Sequence, residues 1–254
     1  MTLDDWAHRF QEYLEQHFPQ DDKAHDITHF SRVWKTARKI MQYTDADERT
    51  VLTACYFHDV VNLPKNHPER HLASRQAALR TRQILANYFP DFPAQLYDGV
   101  THAIEAHSFS AGITPKTLEA KIVQDADRLE SLGAIGLARV FHVAGQLGRG
   151  LFHAEDPLAL HRPLDDVNYT FDHFQTKLLT LADSMQTAQG REMARYNIEY
   201  LVTFMSKLCA ELKGEYYQLD TETLNRFGLG YKAEGGASDV GITLSLPRVG
   251  NGSN

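Results

Sequence analysis

His58 and Asp59 stand side by side at the end of an apolar run, TACYFHDVVNL, residues 53–63. Two polar groups abutting a core segment are costly if buried without partners, so partners must come from elsewhere in the chain. Spacing supplies candidates. His29 lies 29 residues before His58, and Asp127, in KIVQDADRLESLG, lies 68 residues after Asp59. Imidazoles and carboxylates together suit a catalytic divalent cation that keeps open positions for water and substrate. The dipeptide alone decides nothing: His25-Asp26 is a second His-Asp pair, and a helix C-terminus capped by a histidine is the plain alternative for His58.

The elements that must bring these residues together read as helices, because apolar residues recur at three- and four-residue steps and period-2 alternation is nearly absent. Helices are expected at about 3–17, from Asp26 as N-cap, and at about 47–59, the last apolar on most sides as in the centre of a bundle. NLPKNHPER must be a loop, followed by helices at about 71–88, 93–106 and 117–131. GAIGLARVFHVAGQLGRG reads as a close-packed helix, and two more follow at about 171–185 and 191–213. The fold class is all-α. One domain is expected over 1–227, and the Gly-, Ser- and Asn-rich segment 228–254 reads as a flexible tail.

The pattern His29, His58-Asp59, Asp127 resembles the HD-domain superfamily of metal-dependent phosphohydrolases, whose signature is H, then HD, then D on successive helices. HDITHFSRVW, CYFHDVV and DADRLESLGAIG resemble its three motifs, and AHSFS, HRPLDD and DHFQTKLL extend the likeness to the small stand-alone bacterial members called YedJ-like. The resemblance implies an HD-domain helical bundle with its motif core at about 22–132 and additional C-terminal helices. It implies metal ligands at His29, His58, Asp59 and Asp127, a bound Mn²⁺ or Mg²⁺, and hydrolysis of a small phosphorylated substrate, most plausibly a nucleotide. Asp127 is preferred to Asp125 because the family's last ligand is followed by x-Leu, as in DRL, and residues two apart on a helix point about 200° apart. Some HD proteins hold a second metal with extra histidines. His102 and His107 lie about 140° apart on a continuous helix, so only one can face the site, and His107 is the better placed. Asp59 is the ligand best suited to orient an attacking water. Asp26 reads as a cap and orienting group.

Further cations could meet phosphate. Lys65 in the Pro-bounded loop and Arg128 beside a ligand are candidates, with solvated surface as the alternative; Arg32 could pair with a ligand carboxylate, with phosphate or in a surface salt bridge. The long segment 151–170 reads as a lid bringing His161 and Arg162 to the substrate, or else as a polar loop. Composition narrows the partners. With 43% apolar and 23% charged residues the chain is an ordinary globular one. Its 26 Lys plus Arg against 33 Asp plus Glu, net −7, lack the basic stripe of a duplex-binding surface. No stretch of about 18 apolar residues could span a bilayer. A cytoplasmic protein is expected. Cys55 and Cys209 are isolated, with no C-x-x-C pair. Two other classes remain: a di-iron HD-type oxygenase, and a non-catalytic nucleotide-binding module.

Overall fold

The computed structural model describes residues 1–18, 27–61, 63 and 67–228. The expected tail, Lys65 and the His25-Asp26 pair lie outside these residues, apart from Gly228. Among the described residues there are ten α-helices and no strand. They are α1 (Leu3–His17), α2 (Ile27–Met41), α3 (Glu48–Phe57), α4 (Ala73–Tyr88), α5 (Tyr97–His107), α6 (Leu118–Leu129), α7 (Gly133–Gln146), α8 (Thr170–Thr176), α9 (Ala188–Leu212) and α10 (Thr221–Phe227).

Helix α3 is the axis of the bundle. Asp47 caps it, accepting the Thr50 N–H at 2.7 Å, and every residue from Thr50 to Phe57 is buried. Helices α1, α2, α5 and α6 pack around it. Its C-terminal end is fixed by an aromatic cluster: the Phe57 ring meets Phe10 edge-on at 4.9 Å, and Phe10 meets Phe89 the same way at 5.0 Å. Each such fully buried ring contributes roughly 2–3 kcal/mol of apolar burial. That packing holds the backbone rigid at the point where His58 and Asp59 follow.

The second half differs from the periodic reading. The helix expected at 171–185 breaks at Lys177, whose φ of −138° and ψ of −57° end α8, and Leu178–Ser184 continues as a 3-10 helix. With three residues per turn, Leu178 and Leu181 fall on one buried face. The seven-residue α10 was not expected. It docks on α9, capped by Asp220, which accepts the Thr223 N–H at 2.8 Å.

Candidate metal centre and substrate cavity

Four helix ends converge on one point. His29 lies in the first turn of α2, His58 and Asp59 follow α3, His107 closes α5, and Asp127 sits in the last turn of α6. The Nε2 atoms of His29 and His58 are 3.1 Å apart. Asp127 Oδ1 is 3.5 Å from the first and 3.6 Å from the second. Asp59 places one carboxylate oxygen 3.8 Å from His58 Nε2 and the other 3.4 Å from His107 Nε2. Two triads, His29-His58-Asp59 and His58-His107-Asp127, each bring their donor atoms within 4.8 Å of one another.

The other ring nitrogen of each histidine fixes its tautomer. His58 Nδ1 donates to the Cys55 carbonyl at 2.9 Å and His107 Nδ1 to the Ile104 carbonyl at 2.6 Å; a carbonyl oxygen can only accept. His29 Nδ1 faces Glu130 Oε2 at 3.3 Å, and Glu130 also accepts from Arg32 Nε at 2.9 Å. Burial pushes the Glu130 carboxyl up, but the His29 and Arg32 hydrogen bonds outweigh it and hold the group below its usual range, so it is an ionised acceptor. In the neutral state all three Nε2 lone pairs therefore point inward. Two lone pairs 3.1 Å apart repel unless a cation stands between them.

Charge follows the same logic. Burial alone would lower His58, yet Asp59 and Asp127 raise it to about 9, so without metal a proton serves as the shared cation. Asp59 and Asp127 are both held well below the usual carboxylate range, the nearby imidazoles overriding burial. His29 is lowered, mainly by burial. The imidazoles of His29 and His58 are fully sealed, whereas the Asp59 and Asp127 side chains keep 21% and 26% exposure. A mixed set of sealed imidazoles and solvent-facing carboxylates fits a divalent cation with open positions toward solvent.

That open side is a cavity of about 420 Å³ whose floor includes Asp59, His107 and Asp127. Arg70, Arg139, Arg149 and Lys177 line its walls. Arg70 donates to the Leu63 carbonyl and Arg139 to the Glu130 carbonyl at 3.2 Å, which holds both side chains at the rim. Burial lowers the Lys177 ammonium, with the nearby Arg70, Arg139 and Arg128 adding to the effect and Asp127 opposing it. None of these four cations was found from the sequence. Arg70, Arg139 and Arg149 come from segments with no local motif, and Lys177, within DHFQTKLL, sits where the helix breaks. Glu130 was also missed, although it lies one turn after Asp127, a spacing that places both on one face.

Other expectations are redirected. His102 leaves the site: its Nε2 accepts the Lys116 N–H at 2.9 Å. Asp125 faces away from Asp127, accepting the N–H groups of Gln186 and Thr187, each at 2.8 Å. Arg128 does not line the cavity. Its Nη1 donates to the Ser184 carbonyl at 2.7 Å, because a residue next to Asp127 on a helix points about 100° away from it. Arg162 is likewise engaged, in a two-pronged pair with the buried Asp172 at 2.5 and 2.8 Å. His161 is exposed and does not line the cavity; its N–H donates to Asp156. Segment 151–170 is thus a loop tied to itself, and Asp166 and Thr170, rather than His161 and Arg162, reach the cavity wall. Arg32 pairs with Glu130, the carboxylate behind His29.

Residues 26–132, which hold all five donors, match the HD domain model. Bacillus subtilis YpgQ is 30% identical over 221 residues, covering 85% of this chain and 97% of that protein. The chain belongs to the HD superfamily. Among solved structures, this HD protein is similar to Bacillus subtilis YpgQ in complex with ADP, at 29% identity and TM-score 0.62, covering 83% of this chain and 97% of that one. It is also similar to an HD-superfamily hydrolase from Bacillus thuringiensis, at 26% identity and TM-score 0.63, covering 84% and 99%. Among the described residues no helix is long and apolar enough to cross a membrane.

Proposed function

We propose that this HD protein is a metal-dependent phosphohydrolase acting on a small phosphorylated metabolite, with nucleotides as the favoured substrate class. The observation that carries the reading is the union of an imidazole-carboxylate cluster with a cavity walled by Arg70, Arg139, Arg149 and Lys177. Such a wall suits phosphate oxygens, since Arg offers paired donors and Lys a point charge. The ADP complex of YpgQ supports the nucleotide class.

His29, His58, Asp59 and Asp127 would hold the ion. A bound Mn²⁺ or Mg²⁺ supplies a polarised phosphoryl oxygen and a water of lowered pKa. Asp59 has one oxygen toward His58 and the other toward His107 Nε2, so it can hold the ion with one oxygen and orient a water with the other. The wall cations offset charge that develops on the phosphoryl oxygens in the transition state. Their local field overrides the net charge of −7.

The test is a panel of phosphomonoesters, nucleoside di- and triphosphates and cyclic nucleotides, each assayed with Mn²⁺, Mg²⁺, Co²⁺ and Fe²⁺. Turnover of one phosphorylated class, lost on chelation and restored by metal, is expected. No turnover across the panel overturns the reading. His107 gives a specific reason to keep a second one: five donors in two triads also suit a di-iron oxygenase. Iron-dependent oxygen consumption in place of phosphate release would favour it.

A further inference from the structure

Phe109 leaves 64% of its surface exposed at the edge of the substrate cavity, which it lines together with Ser108 and Ser110. A single exposed apolar residue means little by itself. What sets this one apart is how firmly it is held. The Arg128 guanidinium carbon and the Lys177 ammonium nitrogen each lie 5.7 Å from the ring centroid. Arg128 is itself anchored by a bond to the Ser184 carbonyl, and Lys177 sits at the break after α8. A ring contacted by two cations, one of them anchored, is restrained before a ligand arrives, which lowers the entropic cost to that ligand.

Its location ties it to the reacting end of the cavity. Ser108 is extended, with φ −71° and ψ 127°, so the Phe109 Cα lies within about 7 Å of the His107 Cα. A substrate whose phosphate reaches Asp59, His107 and the wall cations has its next portion near this ring. A planar heteroaromatic ring is the chemistry that the exposed part of such a ring takes up best.

We propose that Phe109 is the stacking platform for the base of a nucleotide, a specificity-determining contact that rests on reading the site as one for phosphorylated substrates. Every base has a π-face, so Phe109 selects nucleotides over base-less phosphates and discriminates little among bases. The residue touches the base and takes no part in bond breaking.

The test uses the Mn²⁺-loaded protein and calorimetric titration with α,β-methylene-ADP, which resists cleavage between its phosphates, beside methylenediphosphonate, which has the same bridged phosphates and no base. Phe109→Ala is expected to weaken the nucleotide analogue about tenfold, within the range stacking supplies, and to leave methylenediphosphonate binding unchanged. Phe109→Tyr should retain both affinities. Equal affinity of wild type and Phe109→Ala for α,β-methylene-ADP overturns the proposal. So does an equal loss for both probes, which would make the ring a mere support for Arg128 and Lys177, or failure of the wild-type protein to bind the nucleotide analogue. The turnover panel reads the phosphohydrolase assignment separately: an analogue held through Phe109 without turnover of any substrate sinks that assignment and leaves the stacking contact standing.

Discussion

Replacing Glu130 by Gln exchanges one carboxylate oxygen for an amide nitrogen in a side chain that is 6% exposed and touches no substrate-facing atom of the cluster. The geometry nevertheless predicts a loss at the metal centre. Glu130 Oε2 accepts from His29 Nδ1 at 3.3 Å and from Arg32 at 2.9 Å, so it fixes the ring that aims His29 Nε2 at the cluster. An amide oxygen can still accept at the Oε2 position, but the charge that draws the Nδ1–H and the Arg32 guanidinium is gone. Loss of such an orienting partner typically costs about 10–100-fold in metal affinity. The His29 bond is long, which puts the expectation at the lower end, about tenfold, or roughly 1.4 kcal/mol. Stability should fall by roughly 1–2 kcal/mol, since Arg32 keeps partial contact with solvent that screens its loss. Calorimetric Mn²⁺ titration and urea denaturation measure the two effects. At saturating Mn²⁺ the kcat should return close to wild type, because Glu130 positions a ligand and does not meet substrate. Mn²⁺ affinity within twofold of wild type, in a protein whose Asp59→Ala variant has lost its metal, would refute the role assigned to Glu130.

Asp59→Ala should lose tightly bound Mn²⁺ and all turnover while its far-ultraviolet circular dichroism stays unchanged; wild-type turnover in that variant would remove Asp59 from the centre. Arg162→Ala leaves the fully buried Asp172 carboxylate unpaired and should cost about 2–4 kcal/mol in denaturant unfolding, with Mn²⁺ affinity unaltered; normal stability with impaired kcat/KM would instead restore Arg162 to the substrate. The His58 shift gives a pH signature. In the metal-free protein His58 is raised from 6.5 to about 9, so its contribution to stability is full below about pH 6.5 and is lost as pH rises through about 9. Thermal unfolding of the metal-free protein should therefore show stability falling across that interval, and Mn²⁺ binding near pH 7.5 should release about one proton. A binding enthalpy that does not vary with buffer ionisation enthalpy would contradict this.

The donor cluster was legible because each residue sits at or near a helix end whose position hydrophobic periodicity determines. Helices α2, α3 and α6 carry continuous apolar stripes, and the chemistry-bearing residues stand where those stripes stop or turn. His107 was half legible. Helical geometry required one of His102 and His107 to be excluded, and the structure excludes His102 by pairing it with the Lys116 N–H. Arg128 and Arg162 show the opposite case. One is next to a metal-ligand candidate in sequence and one lies in a long polar segment, yet proximity along a helix is not proximity in space, and an arginine beside a buried aspartate is already engaged. The cavity cations could not be read at all. Arg139, Arg149 and Lys177 reach the wall by the return of α7 and α8 over the donor cluster, a long-range event that even the family-like segment DHFQTKLL around Lys177 does not announce.

Helix α6 shows why the two halves of the molecule depend on each other. Asp127 faces the cluster, and Asp125, about 200° around the same helix, serves as an acceptor for the start of α9. It receives the Gln186 and Thr187 N–H groups and the Thr187 hydroxyl, at 2.7 to 2.8 Å. Burial pushes the Asp125 carboxyl up, and those bonds oppose the shift only in part, so the contact is costly to misplace. Gly190 follows from the same constraint: a Cβ there would collide with the Asp125 carboxylate and the Thr187 hydroxyl. Helix α9 in turn packs on α7 and on the 3-10 helix Leu178–Ser184, which set Arg139 and Lys177 in the cavity wall. A single helix therefore seats both the donors and, through α9, the cations opposite them. The distance between the donor cluster and the cationic wall is thus a property of the core, which accounts for a candidate site that spans residues 29 to 177.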